Sequence, residues 1–533
     1  VKTTSRFIPY QATGLFSNII DDYLRSYPDL DAFYAHETNL DGIKDAINAR
    51  KQFPNNRLCV QQVFQEAYAQ SQPSDSQSHN ILLLSNEKTF TICTAHQPNI
   101  FSGYLYFIYK TAHAIALAQS LSKQLPEYHF VPVFYIGSED NDLIELSRFR
   151  LNGKSYQWNT DQTGAVGRMK ADKKVTELIK LIEAEIGHLP FAADLMKILR
   201  KAYASGNDLA MGTFVLLNEL FKDQGLLVLQ PDHSALKGQM KSVFRDDLLS
   251  NTANEVVAKT NSKLSETYKL QVNPRPVNLF YLSDGIRNRI DKRGNIFTVD
   301  DTAIRFTEEE ILRELDEFPE RFSPNVILRG IYQETILPNI VFVGGGSELA
   351  YWMQLNGLFA HYHIPFPVLI LRNSFVIMDA NHAHKLKELG LADADLFKEE
   401  TSLANMLVQQ WGGKEISLNV EVEESKTLFG HLKQRAGDVD KTLVQHVHAL
   451  ETIHLKKLES LEKKMLRSER KKQSVQLQRI WKLKSELFPN NSLQERVDNF
   501  MPYYAKYGQD FINGILEHSL SLEQKFGIMV IDH

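Results

Sequence analysis

The strongest constraint on the fold is a series of short apolar runs, each long enough for one strand: TFTICTA at 89–95, HFVPVFYI at 129–136, GLLVLQP at 225–231, PVNLFYL at 276–282, NIVFVGGG at 339–346 and PFPVLIL at 365–371. Within them apolar residues fall on consecutive positions instead of alternating, as in strands covered on both faces. Several are separated by stretches of helical periodicity, such as LYFIYKTAHAIALAQSL, TFVLLNELFKDQ and SELAYWMQLNGLFAHY. The combination predicts an α/β fold with a core sheet between layers of helix. In such sheets ligands gather beyond the carboxyl ends of the strands, which directs attention to the residues that follow each run.

After about residue 376 the strand signals nearly vanish. Residues 441–488 carry Leu443, Val447, Leu450, Ile453, Leu458, Leu461, Met465, Leu477, Ile480 and Leu487, mostly three or four apart. That length predicts a long helix in an antiparallel coiled coil, with residues 386–423 as its partner. Its polar face is basic, since residues 456–484 hold eleven Lys or Arg against three Glu; a solvated face and a surface for an acidic partner both account for this. Residues 1–70 read as helices, SQPSDSQSHN at 71–80 as a flexible junction, and GIMVI at 527–531 as a small strand returning to the body. The expected division is therefore a helical region over 1–80, the α/β core over 81–385 with connecting insertions around 150–205 and 240–320, and the coiled coil with its return over 386–533.

Bulk properties mainly exclude. Two cysteines, Cys59 and Cys93, cannot build a disulfide framework or a thiolate metal site, and they suit a reducing compartment. A net charge of −5 gives no overall pull toward nucleic acid or anionic lipid, and the basic stretch lacks interleaved aromatic platforms. VKTTSRFIPYQATGLF does not read as a secretion signal and no apolar run reaches membrane-spanning length, so a cytoplasmic location without membrane or nucleic-acid partners is expected.

Three segments carry candidate chemistry. AHQPNIFSGY offers His96, a proton-exchanging or hydrogen-bonding group, and Gln97, with Ser102 and Gly103 just behind. A structural histidine explains the same letters. GSEDND holds Glu139, Asp140 and Asp142, acids tolerated together where an amine, an arginine or a magnesium ion answers them; helix capping is the alternative. Asp142 could also position a protonated His96 if their strands are neighbours. The segment 321–352 presents Asn325, Arg329, Tyr332 and Gln333, then Gly344, Gly345 and Gly346 with Glu348 in the first turn of the next helix. Arg329 suits a bidentate grip on carboxylate or phosphate, and the glycines suit either a tight turn or close approach of backbone N–H groups to an anion. Arg372 follows the last run as another positive charge at the sheet edge. No dinucleotide fingerprint or phosphate-binding GKS or GKT motif is present, no metal site is expected, and HYH at 361–363 lacks further ligands for zinc.

TICTAHQPNIFSGYLYFIYK, VPVFYIGSEDNDLIEL, TGAVGRM, FSPNVILRGIYQETILPNIVFVGGGSELAYW and LFPNNSLQERVDNFMPYY, in this order from about residue 90 to the end, together resemble the bacillithiol biosynthesis cysteine-adding enzymes, the BshC family. The resemblance implies a Rossmann-like core with inserted segments, a C-terminal coiled coil that forms a homodimer, and a ligase reaction joining the carboxyl of L-cysteine to the amine of malyl-glucosamine. Amide formation requires an activated carboxyl, which implies ATP or another activating nucleotide, with or without Mg2+. The family's histidine–glutamine pair falls on His96 and Gln97, its acidic loop on Glu139, Asp140 and Asp142, its polar helix on Asn325, Arg329, Tyr332 and Gln333, and its glycine loop on Gly344 to Gly346. Two departures stand out: Asn141 replaces the histidine of an EDHD pattern, and GGGSE replaces GGPGE.

On this reading His96 stabilises charge on an activated carboxyl, Arg329 holds a carboxylate or phosphate, and Asp140 or Asp142 orients the amine or a metal. Gln97 completes the catalytic set, and the other residues line the substrate site. The alternative is a non-catalytic nucleotide-binding scaffold or sensor that recruits a partner through the coiled coil.

Overall fold

The computed structural model describes residues 2–69, 71–411 and 416–532. It divides into one unit running to Asp379 and resuming at Ser492, and a second, Ala380–Asn491. The break thus falls a few residues before the expected 386, and the closing return begins at 492.

The heart of the first unit is a parallel sheet of five strands. Val368–Leu371, Asn339–Gly344, Thr89–His96, His129–Ile136 and Leu227–Leu229 lie side by side in that order, so the strands, numbered along the chain, run 5-4-1-2-3 across the sheet. Strand order reverses between Thr89–His96 and Asn339–Gly344, opening a crevice beyond their carboxyl ends. Thr89–His96 is buried along its length until His96, which explains its unbroken apolar character. Helix Tyr106–Gln124 leads to the neighbouring strand and helix Gly346–His361 to the edge strand.

Of the six runs, PVNLFYL does not join this sheet. Its strand Leu279–Ser283 belongs to an antiparallel sheet with Phe322–Pro324, Ile286–Arg293, Ile296–Val299 and Arg305–Thr307. A third sheet places Lys525–Asp532 between Lys2–Pro9, antiparallel, and Phe375–Asp379, parallel. The returning strand is therefore present, but the first residues form a strand where helix was expected: KTTSRFIP is β-branched and half-buried, a period-two signal hidden by the helices that follow. The expected flexible junction is also ordered. Ser74 and Gln77 close a capping box that starts helix Asp75–Leu83, and Gln77 donates to Asn218 Oδ1 at 2.7 Å and to the Leu226 carbonyl at 2.8 Å.

A buried polar network ties helix Leu40–Lys51 to the sheet. Arg50, 1% exposed, donates to Glu334 Oε2 and to the Glu334 carbonyl, both at 2.7 Å. Glu334 Oε1 accepts from Gln333 at 2.9 Å and Asn339 at 2.7 Å, and Asn339 Oδ1 accepts from Thr91 at 3.1 Å.

His113 is equally enclosed. Its Nδ1 accepts the Asn373 N–H at 3.0 Å, which places the ring proton on Nε2, 2.9 Å from the Ser521 carbonyl. Burial pushes its pKa down to about 4. A pKa lowered on folding gives stability that is complete above about pH 6.5 and drains as pH falls toward the folded value, at up to about 1.4 kcal/mol per pH unit. Urea midpoints are expected to fall between pH 6.5 and 5, before most carboxylates titrate. The slope should flatten in His113→Asn, and equal slopes would count against this assignment.

The second unit is helical. Asn419–Val439 and Leu443–Lys472 form an antiparallel hairpin, and Ser474–Leu487 continues beyond a break at Gln473. The expected single helix over 441–488 is thus two. The segment packed along Leu443–Lys472 is mainly 419–439, with Glu400–Trp411 also in contact, instead of 386–423, part of which (412–415) lies outside the described residues. Ala404, Val408 and Leu477 pack together with Met465 and Trp481. On the hairpin Val420, Leu428, Leu432, Leu443, Leu450, Ile453 and Leu461 are exposed.

Candidate active site

A cavity of about 420 Å³ lies in the crevice at the carboxyl edge of the core sheet, lined by His96, Gln97, Glu139, Asp140, Asn325, Arg329, Gly345, Gly346, Glu348 and Arg372 among others. The three segments singled out in the sequence therefore meet at one place, for the topological reason that their strands end side by side.

His96 closes the central strand, with Nε2 3.3 Å from the Tyr106 hydroxyl and its ring packed edge-on to Tyr106 and Phe107. Burial and then the nearby Lys110 ammonium push its pKa down to about 3. Of the two roles open to it, His96 is thus the hydrogen-bonding group, a neutral imidazole near pH 7 and not a cation that Asp142 could position. Lys110, 1% exposed, donates to the Ala95 carbonyl at 2.6 Å and to Glu348 Oε2 at 2.7 Å. Glu348 also accepts the Gly345 N–H at 2.8 Å, capping helix Gly346–His361. Its carboxylate, held below the usual range by Lys110 against the cost of burial, therefore stays charged and fixed.

On the next strand the acidic loop is similarly tied down. Glu139 pairs with Lys237, a fully buried lysine that also lies 3.5 Å from Asp232, and Arg168 grips Asp232 at 2.6 and 2.9 Å. Gly167 lets this segment run beneath the loop: its N–H donates to the Ser138 carbonyl at 2.8 Å, and a Cβ would sit 2.4 Å from that oxygen. Asp140 accepts from Gln97 Nε2 at 3.0 Å; although burial works against its charge, Gln97 and Arg287 hold it below the ordinary carboxylate range.

Arg329 lines the cavity from helix Val326–Ile336 and donates to the Tyr351 hydroxyl. Burial opposes its charge, yet Tyr351, Glu348 and Tyr135 keep its pKa above the ordinary arginine value. Among the described residues no carboxylate oxygen lies within 4.0 Å of its guanidinium.

Several expected site residues lie elsewhere or are engaged. Asp142 caps the short helix Leu143–Leu146, accepting the Glu145 N–H at 3.2 Å, and does not reach His96 although their strands are neighbours. Ser102 and Gly103 form a buried left-handed turn behind the cavity, gripped by Asn499 through the Phe101 and Gly103 carbonyls. Tyr332 donates to the Pro231 carbonyl at 2.6 Å, and Gln333 belongs to the Arg50 network. Gly344 ends its strand with Phe342 and Leu349 where a Cβ would be. Asn325 lines the cavity but spends its oxygen capping Ile327 and Leu328. Arg372 also lines it, yet pairs with buried Glu495 at 2.7 Å.

The chain matches the family model described as Bacillithiol biosynthesis BshC, N-terminal Rossmann-like domain, over residues 4–373, and the BshC C-terminal coiled-coil domain over residues 375–531. It belongs to the BshC family. Relatives described as candidate BshC cysteine ligases are 38% identical in Flavobacterium johnsoniae, over 98% of this chain and 99% of the relative, and 38% identical in Flavobacterium psychrophilum, over 98% of each. One from Salinibacter ruber is 28% identical over 96% of each chain. The Rossmann-like domain of this BshC-family chain is the unit that holds the cavity, and its coiled-coil domain contains the helical hairpin.

Four residues at the cavity were not singled out in the sequence: Tyr106, Tyr135 and Tyr351, which lie within the BshC motifs, and Arg287, which lies outside them. The tyrosines read as helix or strand core, and Arg287 sits in IRNRIDKR, an ordinary alternating strand whose arrival at the site is set by the inserted antiparallel sheet.

Proposed function

We propose that this chain is a ligase that joins the carboxyl of L-cysteine to the amine of malyl-glucosamine, an amide-forming step of bacillithiol biosynthesis in the cytoplasm. The reading is carried by one observation beyond family membership: a single cavity at the strand-order reversal brings an unpaired arginine and the start of a 16-residue helix together with two fixed carboxylates. Arg329 and the N–H groups at Gly346 and Ser347 suit a carboxylate or phosphate, while Asp140 suits an amine. Neutral His96, backed by Tyr106, serves as a hydrogen-bond partner for the reacting carboxyl. Gln97 holds Asp140 in place, and Lys237 does the same for Glu139. The amine must attack as the free base, so Asp140 acts by orienting it and not by retaining its proton.

The same donor set suits the phosphates of an activating nucleotide, which when bound supplies the driving force by making the carboxyl a better electrophile. Among the described residues no group of three or more His, Cys, Asp or Glu side chains comes together as a metal site. With Glu139 held by Lys237 and Asp140 by Gln97, Mg2+ enters this proposal only on the nucleotide's own phosphates. Mass spectrometry of the protein with L-cysteine, malyl-glucosamine, ATP and Mg2+, each omitted in turn, is expected to show a product that requires all of them. Ligand binding with no consumption of cysteine would favour the scaffold reading.

Dimerisation through the hairpin is part of the proposal, because its exposed leucines and isoleucine would otherwise face water. Among the described residues no helix is long and apolar enough to cross a membrane, so a bilayer-spanning role for that face is not the explanation. Leu450→Glu with Ile453→Glu is expected to convert a dimer to a monomer in sedimentation velocity; a wild-type protein that stays monomeric at all concentrations would rule the dimer out.

A further inference from the structure

Arg287 is 8% exposed on strand Ile286–Arg293, with its guanidinium carbon 4.0 Å from the centroid of the Phe280 ring. Its Nε donates to Ser323 Oγ at 3.2 Å and one terminal nitrogen to Asn141 Oδ1 at 3.1 Å, while Asn141 Nδ2 donates back to the Arg287 carbonyl at 3.2 Å. Every one of these partners is neutral. They orient the fork; among the described residues no carboxylate oxygen comes within 4.0 Å of it, and Asp140 and Glu139 answer its charge only from farther off. Arg329, on the same cavity, is in the same position. By contrast the buried cations Arg372, Lys110 and Lys237 around the site are matched by Glu495, Glu348 and Glu139.

Enclosing a cation without a directly paired acid is costly unless something else meets its fork. Two such guanidiniums, brought to one cavity by strand Ile286–Arg293 and helix Val326–Ile336, call for two anionic groups on one ligand. We infer that Arg287 and Arg329 each hold one carboxylate of a small dicarboxylate, with Asn141 as the positioning residue for Arg287. This deepens the ligase reading and rests on it for the natural substrate, since a malyl group joined through its hydroxyl keeps two carboxylates. Arg287 is also the shared wall to an adjoining cavity of about 540 Å³ lined by the amides and hydroxyls of Gln162, Thr163, Asn288 and Thr302 and by the Asp301 carboxylate, polar groups that suit a hydroxylated remainder.

The test is calorimetric titration of the full chain with L-malate, L-lactate and inorganic phosphate. Malate is expected to bind at least about tenfold more tightly than lactate, and Arg287→Gln to remove that preference while leaving lactate binding nearly unchanged. Arg287→Lys should retain only part of it, and Asn141→Ala should weaken malate by about threefold; these two carry the test if circular dichroism shows that Arg287→Gln does not fold. No preference for malate in the wild type, an unchanged preference in Arg287→Gln, or phosphate binding as tightly as malate would each overturn the inference. The coupling assay separates the two readings. A malate preference that tracks Arg287 without any coupling would defeat the ligase and leave this site standing, whereas coupling with an unchanged KM for malyl-glucosamine in Arg287→Gln would do the reverse.

Discussion

Arg329→Met is expected to lower kcat/KM by about a hundredfold or more while leaving the melting temperature nearly unchanged. The two halves have one cause. Removing one partner of a desolvated charge pair costs roughly 2–5 kcal/mol of binding, but here the partner belongs to the ligand, so the free protein loses only a cation that no carboxylate pairs directly. A residue that matters only for packing would do the opposite and lower stability first. Arg329→Lys keeps the charge without the planar fork and should recover a minor part of the rate. Activity within threefold of wild type in Arg329→Met would remove this residue from the mechanism, and a large fall in melting temperature would reassign it to the core.

The second large effect is structural. Arg50→Met leaves Glu334, fully buried, without the guanidinium that faces it, and a loss of about 3–5 kcal/mol in unfolding free energy is expected. Burial already raises the Glu334 pKa in spite of Arg50, and without Arg50 it rises further. A carboxyl whose pKa is raised on folding contributes stability that is present at low pH and lost as pH increases. The defect should therefore be worse at pH 8 than at pH 5. Arg50→Met with Glu334→Met removes both charges and should regain much of the loss. A double variant no better than the single, or a defect independent of pH, would show that the network's hydrogen bonds outweigh its charges.

The contrast between these arginines marks how far the sequence could be read. The core strands were legible because burial on both faces leaves runs such as ICTA and IVFV with no polar positions, and the site followed because such strands end at a common edge. His96, Gln97, Glu139 and Asp140 come from those ends, and Arg329 reaches the same place from the helix before the strand Asn339–Gly344. What a single sequence hides is the partner of each charge. Arg372 and Arg329 both follow or precede core strands, and only the return of residues 492–499 to the body shows that Glu495 answers the first and not the second. Asp142 was misplaced for a related reason, because one residue beyond Asn141 the chain turns into a helix and its carboxylate caps that helix instead of facing the strand before it. The charge state of His96 depends on Lys110, one helix away, and Arg287 is delivered by a hairpin whose letters carry no sign of a site. The opening strand was missed because its pairing partner lies more than five hundred residues later in the chain.

That last pairing has a consequence for how the molecule comes to be made. In the sheet of Lys2–Pro9, Lys525–Asp532 and Phe375–Asp379, the middle strand is the one that leaves the ribosome last. Until it arrives, the two outer strands have unfilled edges and cannot pair with each other through the vacant slot, so the Rossmann-like body waits, incompletely zipped, while the whole helical unit between Asp379 and Ser492 is synthesised. Nascent chains of this protein should accordingly hold chaperones until Lys525–Asp532 has emerged, and release should coincide with insertion of that strand.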